Sequence, residues 1–141
     1  MATCQVPGAD GCVTFKAAST LTTAMVGHAV KLTAAMTVGP GDADGDLVVG
    51  VLMNKPSSTA GDDARVFTMA GGIVPVMIGA AVTAVGTELT CDASGHFITA
   101  TNGDVMFAKA LETGTTDGQM IMALWCVPTV VASITVYLTG S

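Results

Sequence analysis

Nowhere between Gly50 and Trp125 does an apolar residue recur every three or four positions for long enough to build a helix face. Short apolar runs are cut instead by turn residues. Val48-Val49-Gly50-Val51-Leu52, Arg65-Val66-Phe67-Thr68-Met69, Ala108-Lys109-Ala110-Leu111 and Met120-Ile121-Met122-Ala123-Leu124 alternate with Gly71-Gly72, Asp92-Ala93-Ser94-Gly95, Asn102-Gly103 and Asp117-Gly118. β-Branched side chains suit a pleated, half-buried surface, and Gly, Asn and Asp accept the backbone angles of tight turns. Such a chain is confined to short strands closely joined.

Strands are expected over residues 12–16, 29–38, 47–53, 64–69, 73–78, 89–91, 96–100, 105–111, 119–127 and 133–138. Pro75 places its segment at an edge or bulge, Pro56 stops the strand before it, and Pro128 ends the strand over 119–127. Residues 17–25 are ambiguous between strand and helical turn, and 79–85 suit one turn of helix. Nine or ten such strands predict an all-β fold, a small β-barrel or β-sandwich with at most one short helix. Residues 1–11, with Pro7-Gly8 and Asp10-Gly11, read as an extended N-terminal arm. Residues 12–127 then form one barrel domain and 128–141 a C-terminal strand extension. No exact internal repeat and no dividing linker is visible.

A chain of 141 residues has room for one substantial core. Half of it is apolar and 11% is charged, against about 25% in typical soluble domains. So few charges leave surface that is apolar or neutral, and patches of that kind mark contacts with other chains. Self-association follows as an expectation. The net charge of −6 sets eleven acidic residues against five scattered positives, Lys16, Lys31, Lys55, Arg65 and Lys109. No basic stripe is present to neutralise phosphates or anionic lipid, so neither nucleic acid nor membrane is an expected partner. No apolar run approaches the roughly 20 residues of a spanning helix, and the first residues lack the pattern of a signal peptide.

Chemistry-bearing constellations are weak. Cys4, Cys12, Cys91 and Cys126 form no C-x-x-C pair, and no His stands at zinc-ligand spacing from them. They read as reduced thiols, Cys91 and Cys126 as small apolar fillers, with Cys4 and Cys12 in the arm. Asp42-x-Asp44-x-Asp46 has the alternation of an oxygen-ligand loop but lacks the downstream Glu of a calcium site, so a solvated acidic turn is the expectation. Cys91 and His96 flank a turn and suit a facing pair, yet no orienting group or oxyanion site lies near them. His28, after Gly27, reads as a surface residue at a strand start. Trp125 reads as core or subunit interface. Gly71-Gly72 is followed by no Lys-Ser/Thr and is not a phosphate loop. No catalytic residue, metal site or cofactor is expected.

The order of features across residues 50–124 resembles the small phage and prophage proteins known as capsid cement or head decoration proteins, the DUF2190-like family. The elements that match are Gly50-Val51-Leu52; Val66-Phe67-Thr68-Met69-Ala70-Gly71-Gly72-Ile73-Val74-Pro75-Val76; Gly79 through Gly86, Leu89, Asp92 and Gly95; and Ala110-Leu111-Glu112, Asp117-Gly118 and Met120-Ile121-Met122-Ala123-Leu124. The resemblance covers a little over half the chain. It implies a β-barrel made in the host cytoplasm that sits on the outer surface of an icosahedral capsid and stiffens the expanded shell. The implied partners are the major capsid protein and the chain itself, as a homotrimer. It also suggests that the arm adds a strand to a capsid sheet, with Thr3, Cys4, Gln5, Val6, Val13 and Phe15 as the candidate capsid-binding residues. An ordinary first strand is the alternative for residues 12–16. Other readings are a tail, fibre or minor head component, a small glycan- or ligand-binding barrel and, least favoured, a hydrolase.

Overall fold

The computed structural model describes residues 11–42, 47–54 and 59–131. These carry ten strands: β1 (Cys12–Ala17), β2 (Ala29–Ala34), β3 (Thr37–Pro40), β4 (Val48–Asn54), β5 (Asp63–Phe67), β6 (Ile73–Met77), β7 (Glu88–Cys91), β8 (Phe97–Thr99), β9 (Val105–Ala110) and β10 (Met120–Val130). The all-β expectation holds. The helical turn does not fall at residues 79–85, whose backbone is held by a bridge between Val82 and Gly114. Among the described residues a single 3₁₀ turn lies at Thr23–Met25, inside the stretch left ambiguous above.

β1 to β5 close into a barrel in the order β1-β3-β2-β4-β5, with β5 returning to β1. β6 to β10 form a second sheet in the order β6-β10-β9-β7-β8. A parallel bridge from Ile78 to Phe97 brings its two ends together, as Ala17 meets Val38 in the first barrel. The two halves have one topology and one register. Cys12 to Lys16 face Phe67 to Asp63, and Ile73 to Met77 face Leu124 to Met120. Val30 faces Pro40 and Gly50, and Leu89 likewise faces Thr99 and Ala108. Even connecting hydrogen bonds recur. Gly61 N–H donates to Ala17 O and Gly118 N–H to Ile78 O, while Gly41 donates to Ala29 and Ala100 to Glu88, all at 2.8 Å. The chain is thus an internal duplication in which few paired positions keep the same residue.

The interiors correspond as well. Ala17, Leu21, Val30, Val38, Leu52, Ala64 and Val66 fill the first barrel. Their counterparts Ile78, Val82, Leu89, Phe97, Ala110, Ile121 and Ala123 are buried in the second. There Phe97 meets Phe107 edge-on at 5.6 Å, and Phe107 packs on Trp125 at 5.5 Å. Trp125 is therefore core. The second core does not stop at its own barrel. Cys12, Phe67, Val51 and Ala29, four residues side by side across neighbouring strands, belong to it rather than to the first core. This row on the outside of barrel one is the seam on which the halves dock.

Two proline expectations divide. Pro75 does lie on β6, the first strand in its sheet's order. Pro128 does not end its strand: β10 runs through it to Val130, and the ladder to β9 shifts register between Trp125 and Thr129 to pass it. Pro56 and the strand over residues 133–138 lie outside the described residues.

Candidate interaction surface

Strand alternation sends every second residue of β6 and β10 inward. Val74, Val76, Ile121 and Ala123 are accordingly buried. The outward partners are Ile73 with Leu124, Pro75 with Met122 and Met77 with Met120. Leu111 extends this face, its N–H donating to Met122 O at 2.9 Å. All seven are apolar, and Ile73, Leu111 and Met120 are 57%, 42% and 40% exposed. The duplication supplies an internal control. The same positions on β1 and β5 hold Thr14 opposite Arg65, joined by an Arg65 Nη1–Thr14 Oγ1 hydrogen bond of 3.3 Å, and Lys16 opposite Asp63. One barrel therefore folds with threonine, arginine, lysine and aspartate where the other carries proline and methionine, while the positions of Cys12 and Phe67, the counterparts of Ile73 and Leu124, are apolar in both. At Pro75 and Met122 the apolar surface is thus not a requirement of the barrel, whereas Met77 and Met120 also border Gly27 of the first half. Methionine-rich, charge-poor surface has the composition of an interface centre. The signal for it lay in the run from Ile73 to Ile78, which has no polar residue on either face.

Of the candidate arm residues, Thr3, Cys4, Gln5 and Val6 lie outside the described residues. Val13 and Phe15 sit in β1, opposite Val66 and Ala64, and Phe15 packs against the first core. Residues 12–16 thus form an ordinary barrel strand, hydrogen-bonded on one side to β5 and at its end to β3. Cys12, read as part of an arm, is buried at the seam.

The seam also gathers the polar residues singled out from the sequence. Asp92 makes the β7–β8 turn, its Oδ1 accepting from Ser94 N–H at 2.8 Å and His96 N–H at 3.0 Å. Gly95, at φ +84°, brings its carbonyl to Ala29 N–H at 2.8 Å; a Cβ there would stand 2.9 Å from Ala29 O. His28 is not a surface residue. It is 6% exposed, its Nδ1–H donates to Ser94 O at 3.0 Å, and its ring lies 4.4 Å from that of His96. Burial holds its pKa below the usual imidazole value, outweighing the raising effect of the Ser94 hydrogen bond. Nδ1 of His96 lies 3.6 Å from Asp92 Oδ2. Cys91 stands opposite Phe97 in the ladder and sends its thiol to Asp42 O at 2.8 Å. Burial, with Asp42 and Asp92 nearby, pushes that thiol up to about 12, so it stays protonated at neutral pH and is a poor nucleophile. Asp42 also pairs with Lys31, while Asp44 and Asp46 lie outside the described residues. The whole cluster is turned toward holding the halves together.

No family model and no curated protein matches the chain. Among solved structures, the crystal structure of the head fiber gp8.5 N base of bacteriophage phi29 is similar, with a TM-score of 0.58 and 19% identity. The match covers 81% of this chain and 93% of that one. At that identity the two share a fold.

Proposed function

We propose that this chain is a non-enzymatic phage virion structural protein. It binds the major capsid protein on the outer surface of an icosahedral head as a homotrimer and stabilises the expanded shell. The observation that carries the reading is the fold shared with the phi29 head fiber base over 81% of the chain. Two properties of the molecule support it. The barrel interiors are filled by side chains, and no pocket opens among the described residues for a small ligand. The face of β6 and β10 is instead an apolar surface on an acidic chain. Many copies each adding a modest contact to a repeating lattice give a large total stabilisation.

Co-sedimentation with expanded, undecorated heads of the encoding phage tests the proposal. Saturable binding at a fixed ratio to the major capsid protein is expected, together with a raised disruption temperature of the decorated heads. Absence of binding at every salt concentration overturns it. The neighbour's own description favours one second reading, the base of a head fibre. Projections rather than compact knobs on decorated heads in electron micrographs would select it.

A further inference from the structure

β10 outruns its barrel. Ile121, Ala123 and Trp125 are buried, but Val127, Pro128, Thr129 and Val130 are exposed in succession, so neither face of the strand is covered there. Val127 and Val130 are 68% and 60% exposed, the former more than any other large apolar side chain among the described residues. β6 accompanies β10 only as far as Leu124, and the ladder from Thr129 to Val130 is to β9 alone. At its end the strand is still paired. Val131 donates its N–H to Asp104 O and accepts from Gly103 N–H, both at 2.8 Å.

Residues 132–141 lie outside the described residues, and their sequence carries the alternation on. Val130, Ala132, Ile134, Val136 and Leu138 are apolar at every second position, with Ser133, Thr135, Tyr137 and Thr139 between them. The exposed Val130 is thus the first member of an apolar stripe along one face of a continuing strand.

Three properties of the chain say what covers that stripe. No Gly, Asn or Asp stands between Trp125 and Leu138, and Val131 is committed to its ladder. Ala132 and Ser133 alone would have to fold the stripe back onto its own barrel, and neither suits the positive φ of a tight hairpin. No charged residue follows Asp117, although the whole chain carries −6. Copies of an acidic chain therefore repel one another least where they meet through this segment. Finally, the stripe is aliphatic throughout and fits other copies of itself, with no polar side chain on that face to be left unsatisfied.

We infer that three copies of this chain pack their C-terminal strands together, the stripe Val130, Ala132, Ile134, Val136 and Leu138 of each facing the three-fold axis. The contact rests on the homotrimer included in the proposed function and names the surface that builds it. It joins the barrels at the ends of their β10 strands, and the face of β6 and β10 takes no part in it.

Sedimentation velocity of the purified full chain, without heads, tests it. The wild type is expected to be a trimer. Ile134→Asp with Val136→Asp places charge on the stripe, Val130→Asp does so at its described end, and Thr135→Asp places charge on the opposite face. Val130 is exposed, so its substitution leaves the barrels intact, which an unchanged far-UV circular dichroism spectrum checks. Both stripe variants should associate at least about 100-fold more weakly than wild type, and Thr135→Asp should associate as wild type does. Stripe variants that remain trimeric overturn the contact. So does a Thr135→Asp variant that dissociates as far as they do, or a wild type that is monomeric up to its solubility limit. Head co-sedimentation separates this from the proposed function. A wild type that binds heads while the stripe variants stay trimeric sinks only the contact. A trimer that ignores heads yet falls apart when the stripe is charged sinks only the capsid role.

Discussion

The outer faces of β1–β5 and β6–β10 occupy the same place in the same barrel and share almost no chemistry. One presents Thr14, Lys16, Arg65 and Asp63, and the other Pro75, Met77, Met122 and Met120. Between the same strands the inward residues remain apolar throughout, Val13, Phe15, Ala64 and Val66 against Val74, Val76, Ile121 and Ala123. A barrel of this size is specified by what fills it, and its outside is free to diverge toward solvent or toward partners. The seam row makes the same point. Ala29 and Val51, which dock on the other half, correspond to the half-buried Glu88 and the exposed Lys109.

The sharpest way to break this comparison is through the two cores. Phe97→Ala should cost about 3–5 kcal/mol, and Val38→Ala, at the corresponding place in the smaller first core, about 2 kcal/mol. Urea unfolding followed by Trp125 fluorescence and by far-UV circular dichroism should give coincident transitions for both variants. The second core runs through the seam, so neither half should melt alone. Two separated transitions would make the halves independent domains.

A pair of seam substitutions probes the asymmetry next. Ala29→Asp places a charge at a fully buried position and should cost about 3 kcal/mol or more. In the corresponding row of the second half, the exposed Lys109→Ala should change stability by no more than about 0.5 kcal/mol. Similar losses at both would contradict the burial of one row and the exposure of Lys109 in the other.

The seam should also be sensitive to acid. Burial lowers the folded pKa of His28, and His96 and Asp92 face it. The unfolded imidazole, at about 6.5, takes up a proton that the folded one resists. Stability is therefore full above that value and is lost as pH falls from it toward the folded value. Thermal midpoints should drop between about pH 7 and pH 5 in the wild type, with a shallower slope in His28→Asn. Equal slopes would remove His28 from the seam's acid response.

A modest gain is expected at Thr90, whose buried hydroxyl has no hydrogen-bond partner among the described residues, while the corresponding Lys31 pairs with Asp42. Thr90→Val should raise stability by about 1 kcal/mol in chemical denaturation. A loss instead would mean that the hydroxyl is satisfied in solution.

Much of the second half was legible in the residues because its local signals agree. Asp92 through Gly95 and Asn102-Gly103 are turns that their own side chains and backbones specify, and the strand between them, expected over 96–100, runs from Phe97 to Thr99. Pro128 misled because a proline can be carried within a strand when the ladder shifts register around it, which the partner strand decides. His28 misled because a residue beside a glycine at a strand start is exposed in an isolated barrel. Here another barrel covers it.

Taken alone, the sequence determined the all-β class and many of the turns, because periodicity of two and the positive φ of turn glycines are local properties; it missed the turn at 35–36 that splits the strand expected over 29–38 into β2 and β3. It also determined that the chain carries too few charges to be wetted evenly. Only the tertiary structure decided that these strands form one barrel twice over. Register is held by contacts between residues far apart in the chain, and those contacts survive when nearly every side chain that makes them has been exchanged for another of suitable size. The identity of the docking row and of its open counterpart was decided at the same level. Val51 and Lys109 occupy equivalent places in the ladder, and only the presence of a neighbouring half against one of them makes the first interior and the second surface.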